Sequence, residues 1–375
     1  MTSFHIRPFG LADIPAIDAL YDWAWWPKRS RAGWAWLVEG PEGAARQAPA
    51  GWVAVRDGEV IAAIGNHAMT LVQGDKAFLA ATGHSLVVRP DAKGVSRPLL
   101  KRFSEQPVFA AFTFNANALS SGHYRFYGMN PWPETQARVK YSWWVDPLAL
   151  AAERLLWRLG QVQGFKGLRE GNERFLSPRL WDPGLMTLEP AVHRVAPDEI
   201  DERFDRFWER LRAEGRLMTV RDRAALAWRF ADPDLTLSPV LLAWTAWGEI
   251  AGYLLAYFAK QTEVDQPTLE IVDLIAVAEE ETRAIPALLR SLLRSARALG
   301  AARVRLSQVN PRLEPLIAAC PGARRHSAHA HAHVRFADPS ARERAADWYA
   351  TPFDGDYGFC IRPPPRVRLP GTAAA

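Results

Sequence analysis

The chain has 375 residues, too many for one ordinary domain and in the range of two. Hydrophobic residues make up 49% and charged residues 23%, enough for packed cores and against general disorder. The formal charge of +5 comes largely from scattered arginines and suits an anionic cofactor, nucleic acid, a lipid surface or a plain solvated surface, so charge alone selects none of them. Cys320 and Cys360 are too few for a disulfide framework, and neither sits in a metal-ligand pair. The N-terminus lacks an apolar signal core and no window approaches roughly 18 uninterrupted apolar residues, so the expectation is a cytoplasmic protein without a membrane span.

In chain order, Phe4 to Arg7 reads as a strand, and Ile14, Ile17 and Tyr21 recur at helical spacing. The stretch Tyr21 to Trp36 sets Trp23, Trp25, Trp26, Trp34 and Trp36 around Lys28-Arg29-Ser30-Arg31, either an aromatic wall for an acceptor or a core packed under a loop. Arg56-Asp57-Gly58-Glu59 between Trp52–Val55 and Val60–Ile64 predicts a hairpin. Gln73-Gly74-Asp75 turns the chain into a third antiparallel strand that carries His84-Ser85-Leu86-Val87-Val88. A turn, Lys93-Gly94-Val95-Ser96-Arg97, then leads to a helix opening at Pro98-Leu99-Leu100, which offers free backbone N–H groups to a phosphate-sized anion. A second apolar β-run ends in Asn117, and helical spacing from there places Ser120, Tyr124 and Gly128 on one stripe.

These pieces, in this order, resemble the GNAT superfamily of acyl-CoA N-acyltransferases. His84 to Pro90 resembles the family's fourth strand, whose splayed end receives the pantetheine arm. Lys93-Gly94-x-Ser96 resembles its basic, glycine-rich pyrophosphate loop, and Asn117 to Met129 its asparagine–tyrosine–glycine helix. The resemblance implies acetyl-CoA or another acyl-CoA as co-substrate, lying along Leu86, Val87 and Val88. Its pyrophosphate would sit at Lys93, Gly94, Val95, Ser96, Arg97 and Leu99, with Asn117 also at the cofactor. It further implies Tyr124 as the acid for the departing thiolate and His84 as the base that takes a proton from an ammonium acceptor. Ser96 replaces a second glycine and Pro98 removes a backbone donor, departures that Lys93 and Arg97 can offset with charge.

Beyond Trp132-Pro133 follow a strand-like Ala137 to Val145, a helix from Pro147 through Leu159, and a Gly-, Pro- and Arg-rich connection from Gln161 to Leu188. The second half then repeats the first at an offset of roughly 190 residues. Gly248-Glu249-Ile250-Ala251 stands for Gly58-Glu59-Val60-Ile61, and Asp273 to Val277 for His84 to Val88. Ala278-Glu279-Glu280-Glu281 replaces the basic loop and would repel a pyrophosphate, while Ile317 or a neighbour falls near the tyrosine's register. This copy is therefore read as degenerate.

Three further features read as structural. Arg221 to Phe230 predicts an amphipathic helix with solvated arginines, although in the family such a helix borders the acceptor cleft. His326, His329, His331 and His333 look like a metal cluster, but the last three alternate on one strand face at Cβ spacings of about 6.5–7 Å, too far for adjacent members to share one ion. Asp354-Gly355-Asp356 predicts a tight turn rather than recognition of a cationic amine.

The expected architecture is α/β (α+β), two tandem GNAT-like domains, each a mixed, mostly antiparallel twisted sheet flanked by helices. The divisions fall at 1–146, a connecting helix and linker at 147–190, a degenerate copy at 191–361 and a Pro/Arg-rich tail at 362–375. The expected activity is N-acyl transfer, acetyl transfer above all, from acyl-CoA to a small-molecule or peptide primary amine by direct attack in a ternary complex. The alternatives are an aminoacyl-tRNA-dependent transferase, the one reading that requires a nucleic acid, and a non-catalytic binding protein with a decayed cofactor loop.

Overall fold

The computed structural model describes residues 3–24, 26–41, 47–161, 183–262 and 264–364. Trp25, most of the connection after Gln161 and most of the tail lie outside them.

Strands of the first half are β1 (His5–Pro8), β2 (Gly51–Arg56), β3 (Glu59–Gln73), β4 (Lys76–Val88), β5 (Ala110–Thr113), β6 (Asn130–Pro131) and β7 (Val139–Trp144). Those of the second are β8 (Val192–Val195), β9 (Met218–Thr219), β10 (Val240–Ala246), β11 (Glu249–Ala259), β12 (Thr268–Ala276), β13 (Arg303–Leu306), β14 (Arg324–Ser327) and β15 (His333–Phe336). The helices are α1 (Ile14–Ala24), α2 (Arg31–Glu39), α3 (Ser96–Ser104), α4 (Ala118–Phe126), α5 (Pro147–Leu159), α6 (Glu202–Ala213), α7 (Arg223–Phe230), α8 (Glu281–Ala296), α9 (Glu314–Ala318) and α10 (Pro339–Arg344).

The two sheets share one plan. The first runs β1-β2-β3-β4-β5-β15-β6 with β9 on β3, and the second runs β14-β7-β13-β12-β11-β10-β8. Both are antiparallel except at one central parallel pair, β4 with β5 and β12 with β13. The hairpins turn the same way: Asp57 and Gly58 have φ of 53° and 83°, and Trp247 and Gly248 have 55° and 81°. Positive φ at both central residues matches the right-handed twist of the flanking strands.

Each half lends a strand to the other. The strand expected over Ala137 to Val145 forms as β7, but it pairs with β13 and β14 in the second sheet, while β15 enters the first sheet between β5 and β6. The chains cross where the His331 N–H donates to the Ala137 carbonyl at 2.8 Å. This crossing separates the histidines: His326 lies on β14, His333 on β15 of the other sheet, and His329 and His331 in the connection between them, so they do not share one strand face. One large apolar core serves the second sheet, and three smaller ones surround the first.

Candidate active site

The site starts from a divergence of strands. β4 pairs with β5 only at Ala81–Ala111 and Thr82–Phe112; β5 ends at Thr113 while β4 runs on to Val88. Just past the split, Ala63 faces Val87 and Gly65 faces His84, so Ile64 alone opposes Ser85 and Leu86. This is a β-bulge, and Ser85 takes φ of 53° within it, a conformation that bends the strand and re-aims its groups. Gly65 makes the arrangement possible, because a Cβ there would stand 2.1 Å from Cε1 of His84.

The split opens a cleft of about 290 Å³. His84, Ser85, Leu86 and Val88 line it from β4, Ser96 from α3, Thr113 from β5, and Asn117, His123 and Tyr124 from α4; Trp26 and Asp356 are also among its lining residues. Asn117 is the N-cap of α4: its Oδ1 accepts from the Ser120 N–H at 2.8 Å, and the Ser120 hydroxyl accepts from the Asn117 N–H at 3.0 Å. That reciprocal cap fixes where α4 begins and so where Tyr124 points. Gly128 lies past the helix end rather than on its stripe.

The remaining sequence-chosen residues take other places. The side chains of Val87, Val95 and Leu99 are buried in the core beneath the cleft. Lys93, Gly94 and Arg97 are exposed in and just after the turn. Among the described residues, no hydrogen bond is made by the backbone N–H of Lys93 or Gly94. The helix starts at Ser96, two residues earlier than the Pro98 opening expected, with Pro98 inside its first turn, where its missing N–H costs little.

Burial sets the protonation of the lining groups. It pushes Tyr124 well above the ordinary tyrosine range; the Asp356 carboxyl adds to this and Thr113 opposes it, so the phenol keeps its proton. It depresses His84 to about 3, helped by the positive charge of Arg29, which leaves a neutral ring. Its Nδ1 stands 3.3 Å from the Ser85 hydroxyl. Asp356 moves the other way: burial raises it to about 6, against hydrogen bonds that favour the carboxylate.

Behind His84, which meets Phe359 edge-on at 6.3 Å, stands an aromatic wall built from both halves. Trp36 stacks on Trp228 at 4.1 Å and donates to the Trp228 carbonyl, His67 also stacks on Trp228 at 5.7 Å, and Phe359 meets His67 edge-on. Arg29 holds the loop before α2 to the second half through Asp232 and Asp234. The arginines of the Arg221 to Phe230 stretch are not all solvated as expected: Arg221 and Arg229 are buried, and only Arg223 faces water. Arg229 lies over Trp228, Phe353 and Phe359 and donates to the Phe353 carbonyl.

Asp354-Gly355-Asp356 is a turn, as expected, and also more than one. Asp354 is fully buried and accepts from Arg221 at 2.9 Å, Thr219 Oγ1 at 2.5 Å and Trp348 Nε1 at 3.2 Å. Arg221 also binds Asp273 at 2.8 Å, and Asp273 accepts from Tyr253 and Thr351. Burial disfavours the Arg221 charge, but the two carboxylates outweigh it and hold the guanidinium protonated. Two residues further on, Asp356 Oδ1 accepts from the Phe114 N–H at 2.8 Å and Thr113 Oγ1 at 3.1 Å, on the first sheet.

At the split of the second half a segment of the chain lies against the departing strand. β12 leaves β13 after Ile271–Leu306, and there Thr351 to Asp354 packs against Asp273. In the loop that stands for Lys93-Gly94, the Ala278 N–H is taken by Glu214 at 2.7 Å. Glu281 is held by Arg216 at 2.7 Å and Arg312 at 2.6 Å. The protein's own carboxylates occupy donors that an anion would need.

No family profile and no curated protein matches this sequence. Solved structures do. The chain is similar to a GCN5-related N-acetyltransferase from Anabaena variabilis ATCC 29413 at 12% identity and TM-score 0.52, over 90% of this chain and 74% of that one. It is also similar to a protein of unknown function from Enterococcus faecalis V583 described as a "Probable N-Acyltransferase", at 13% identity and TM-score 0.53, over 91% and 74%. At such identities the likeness is one of fold: two tandem GNAT-like units, each a mostly antiparallel sheet flanked by helices. Among the described residues, no helix is long and apolar enough to cross a membrane.

Proposed function

We propose that the protein is an N-acyltransferase that moves an acyl group, acetyl in the first instance, from acyl-CoA to a primary amine by direct attack within a ternary complex. The observation that carries this reading is the cleft of about 290 Å³ between splayed β4 and β5, which combines the Ser85 bulge, Ser96 at the start of α3 and a protonated Tyr124; the exposed Lys93-Gly94 turn immediately precedes that helix start.

In this reading the pantetheine arm lies along Leu86 to Val88, where β4 has lost its neighbour, and backbone N–H groups of the bulged strand polarise the thioester carbonyl. The pyrophosphate sits at Lys93 to Leu99, on free N–H groups and the N-terminus of α3. Tyr124 protonates the leaving thiolate. The second unit is the degenerate one, and its contribution is the wall formed by Trp228 and Phe359 on the acceptor side.

Calorimetric titration with acetyl-CoA and longer acyl-CoAs tests the reading. Micromolar binding is expected, together with a Tyr124→Phe variant that binds equally well and releases thiol about 100-fold more slowly. Failure to bind any acyl-CoA would overturn it.

A further inference from the structure

The mechanism just proposed needs a group that takes a proton from the acceptor, since alkylamines arrive as ammonium ions. His84, the group expected for this from sequence, is neutral, but its conjugate acid is far too strong to hold that proton near neutrality. A second candidate stands in the same cleft. Asp356 is 3% exposed, lines the cleft with Tyr124 and His84, and is fastened to the end of β5 through Thr113 and Phe114.

Its placement is enforced from two sides. Gly355 passes so close to Phe114 that a Cβ would come 2.6 Å from Cδ2, and Asp354 is clamped by Arg221 within the second half. Resting on the transferase reading, we propose that Asp356 is the proton acceptor of the transfer, delivered into the first unit's cleft by a segment that the second unit anchors. Arg221 is then a positioning residue.

The carboxylate takes one proton from R–NH3⁺, the freed lone pair attacks the thioester carbon, the C–N bond forms and the C–S bond breaks. The thiolate takes the Tyr124 proton, and the phenol is restored by the second proton the nitrogen loses. The proton on Asp356 leaves to solvent.

The groups facing Asp356 fit this duty. Tyr124 on α4, Cys360 on its own segment, and Thr82 and His84 on β4 are all uncharged around neutrality, and burial holds the Cys360 thiol up at about 12. Thr113 and the Phe114 N–H on β5 donate to the carboxylate, and the more distant Arg29 guanidinium is neutralised by Asp232 and Asp234. The result is a carboxyl that titrates near 6, so the base is ionised at neutrality yet still holds a proton long enough to matter.

The test compares wild type, Asp356→Asn and Thr113→Val. Acetyl-CoA binding is measured by calorimetry, and thiol release with a panel of primary alkylamines across roughly pH 5 to 9. Asp356→Asn is expected to bind acetyl-CoA within about threefold of wild type and to lose about 100-fold or more in kcat/KM, with the acid limb near pH 6 abolished. Thr113→Val removes a bond that favours the carboxylate and is expected to move that limb to higher pH. An Asp356→Asn enzyme within about threefold of wild type that keeps its acid limb would overturn the assignment while leaving the transferase reading intact. Absence of acetyl-CoA binding in wild type would remove both. Should no panel amine react, magnetic resonance of isotope-labelled aspartate decides: a signal lost in Asp356→Asn must titrate near 6, and one titrating in the ordinary range around 4 overturns the proposal.

Discussion

Two strand splits on one plan have met opposite fates. In the first sheet, β4 and β5 part after Thr82 and leave a cleft lined by His84, Tyr124 and Asp356. In the second, β12 and β13 part after Ile271, and the space beside Asp273 is taken by Arg221 and the Thr351 to Asp354 segment. The loops that follow differ in the same sense: among the described residues the Lys93 and Gly94 N–H groups make no hydrogen bond, whereas a carboxylate takes the Ala278 N–H. A parallel pair that diverges exposes backbone donors, and burying them demands partners. The second unit supplies its own; in the proposed function the first leaves them for a ligand. The segment that fills one split ends by furnishing a carboxyl to the other.

The largest expected effect comes from breaking the filled split. Arg221→Ala leaves Asp273 and Asp354 buried without their shared cation, which should cost about 3–5 kcal/mol of unfolding free energy in urea. Replacement of Arg29, whose partners are also held but lie nearer the surface, should cost less. Equal losses at the two sites would mean that the Arg221 cluster is not the fastening of the second unit.

The pH dependence separates the two regions next. Burial depresses His67, His84 and His331 to about 3 and His333 to about 4, and both ring nitrogens of His331 lack a partner among the described residues. A depressed histidine contributes stability in full above its unfolded value of about 6.5, and that stability is lost as the pH falls towards the folded value. Asp356 has the opposite sign: its folded value, about 6, lies above the unfolded one, so the folded state is penalised as pH rises from about 4 to 6. At 1.36 kcal/mol per unit that penalty is on the order of 3 kcal/mol. Asp356→Asn should therefore gain stability relative to wild type between about pH 4 and about pH 7, while both unfold steeply in acid. A constant difference across that interval would place the Asp356 carboxyl in water rather than in the cleft.

Much of the first unit was legible because its signals are local. Asp57-Gly58 dictates a hairpin, Asn117 caps α4, and the apolar run into Arg89-Pro90 ends a strand, each from a few adjacent residues. The repeat at Gly248 exposed the second unit by the same means. What stayed hidden depends on partners far along the chain. Nothing near Val139 says that β7 will pair with β13, because an apolar strand fits either sheet equally well. Asp354 and Asp356 read as turn formers, and only Arg221, Thr113 and Phe114, more than 130 residues away, make one a buried anchor and the other part of the cleft. Arg221 and Arg229 misled in the same way, since an amphipathic pattern does not tell water from a second domain. His84 was found at its position, but burial, which sequence does not give, sets its protonation.

Of the smaller effects, Gly355→Ala probes the link between the regions. Its Cβ would overlap the Phe114 ring at 2.6 Å, and relief requires moving the segment that carries Asp356, at a cost of about 1–3 kcal/mol. Activity should fall with the displaced carboxyl, while acyl-CoA binding, read by calorimetry, stays unchanged. If binding and turnover fall together, the segment shapes the cofactor's seat rather than the proton path.

Lys93→Glu converts the open loop to the charge of the filled one, whose equivalent residues are Glu279, Glu280 and Glu281. Lys93 is exposed, so unfolding stability should be unaffected. Acyl-CoA affinity should drop about tenfold, or about 1.4 kcal/mol, at low ionic strength. Because the contact is at the surface, the deficit should shrink as salt shortens the screening length from about 10 Å at 0.1 M towards about 3 Å at 1 M. A drop indifferent to salt would point to a changed loop conformation instead of a lost charge. No drop at all would move the anionic end of the cofactor away from this turn, and the free N–H groups of Lys93 and Gly94 would then mark a difference between the units that the ligand does not use.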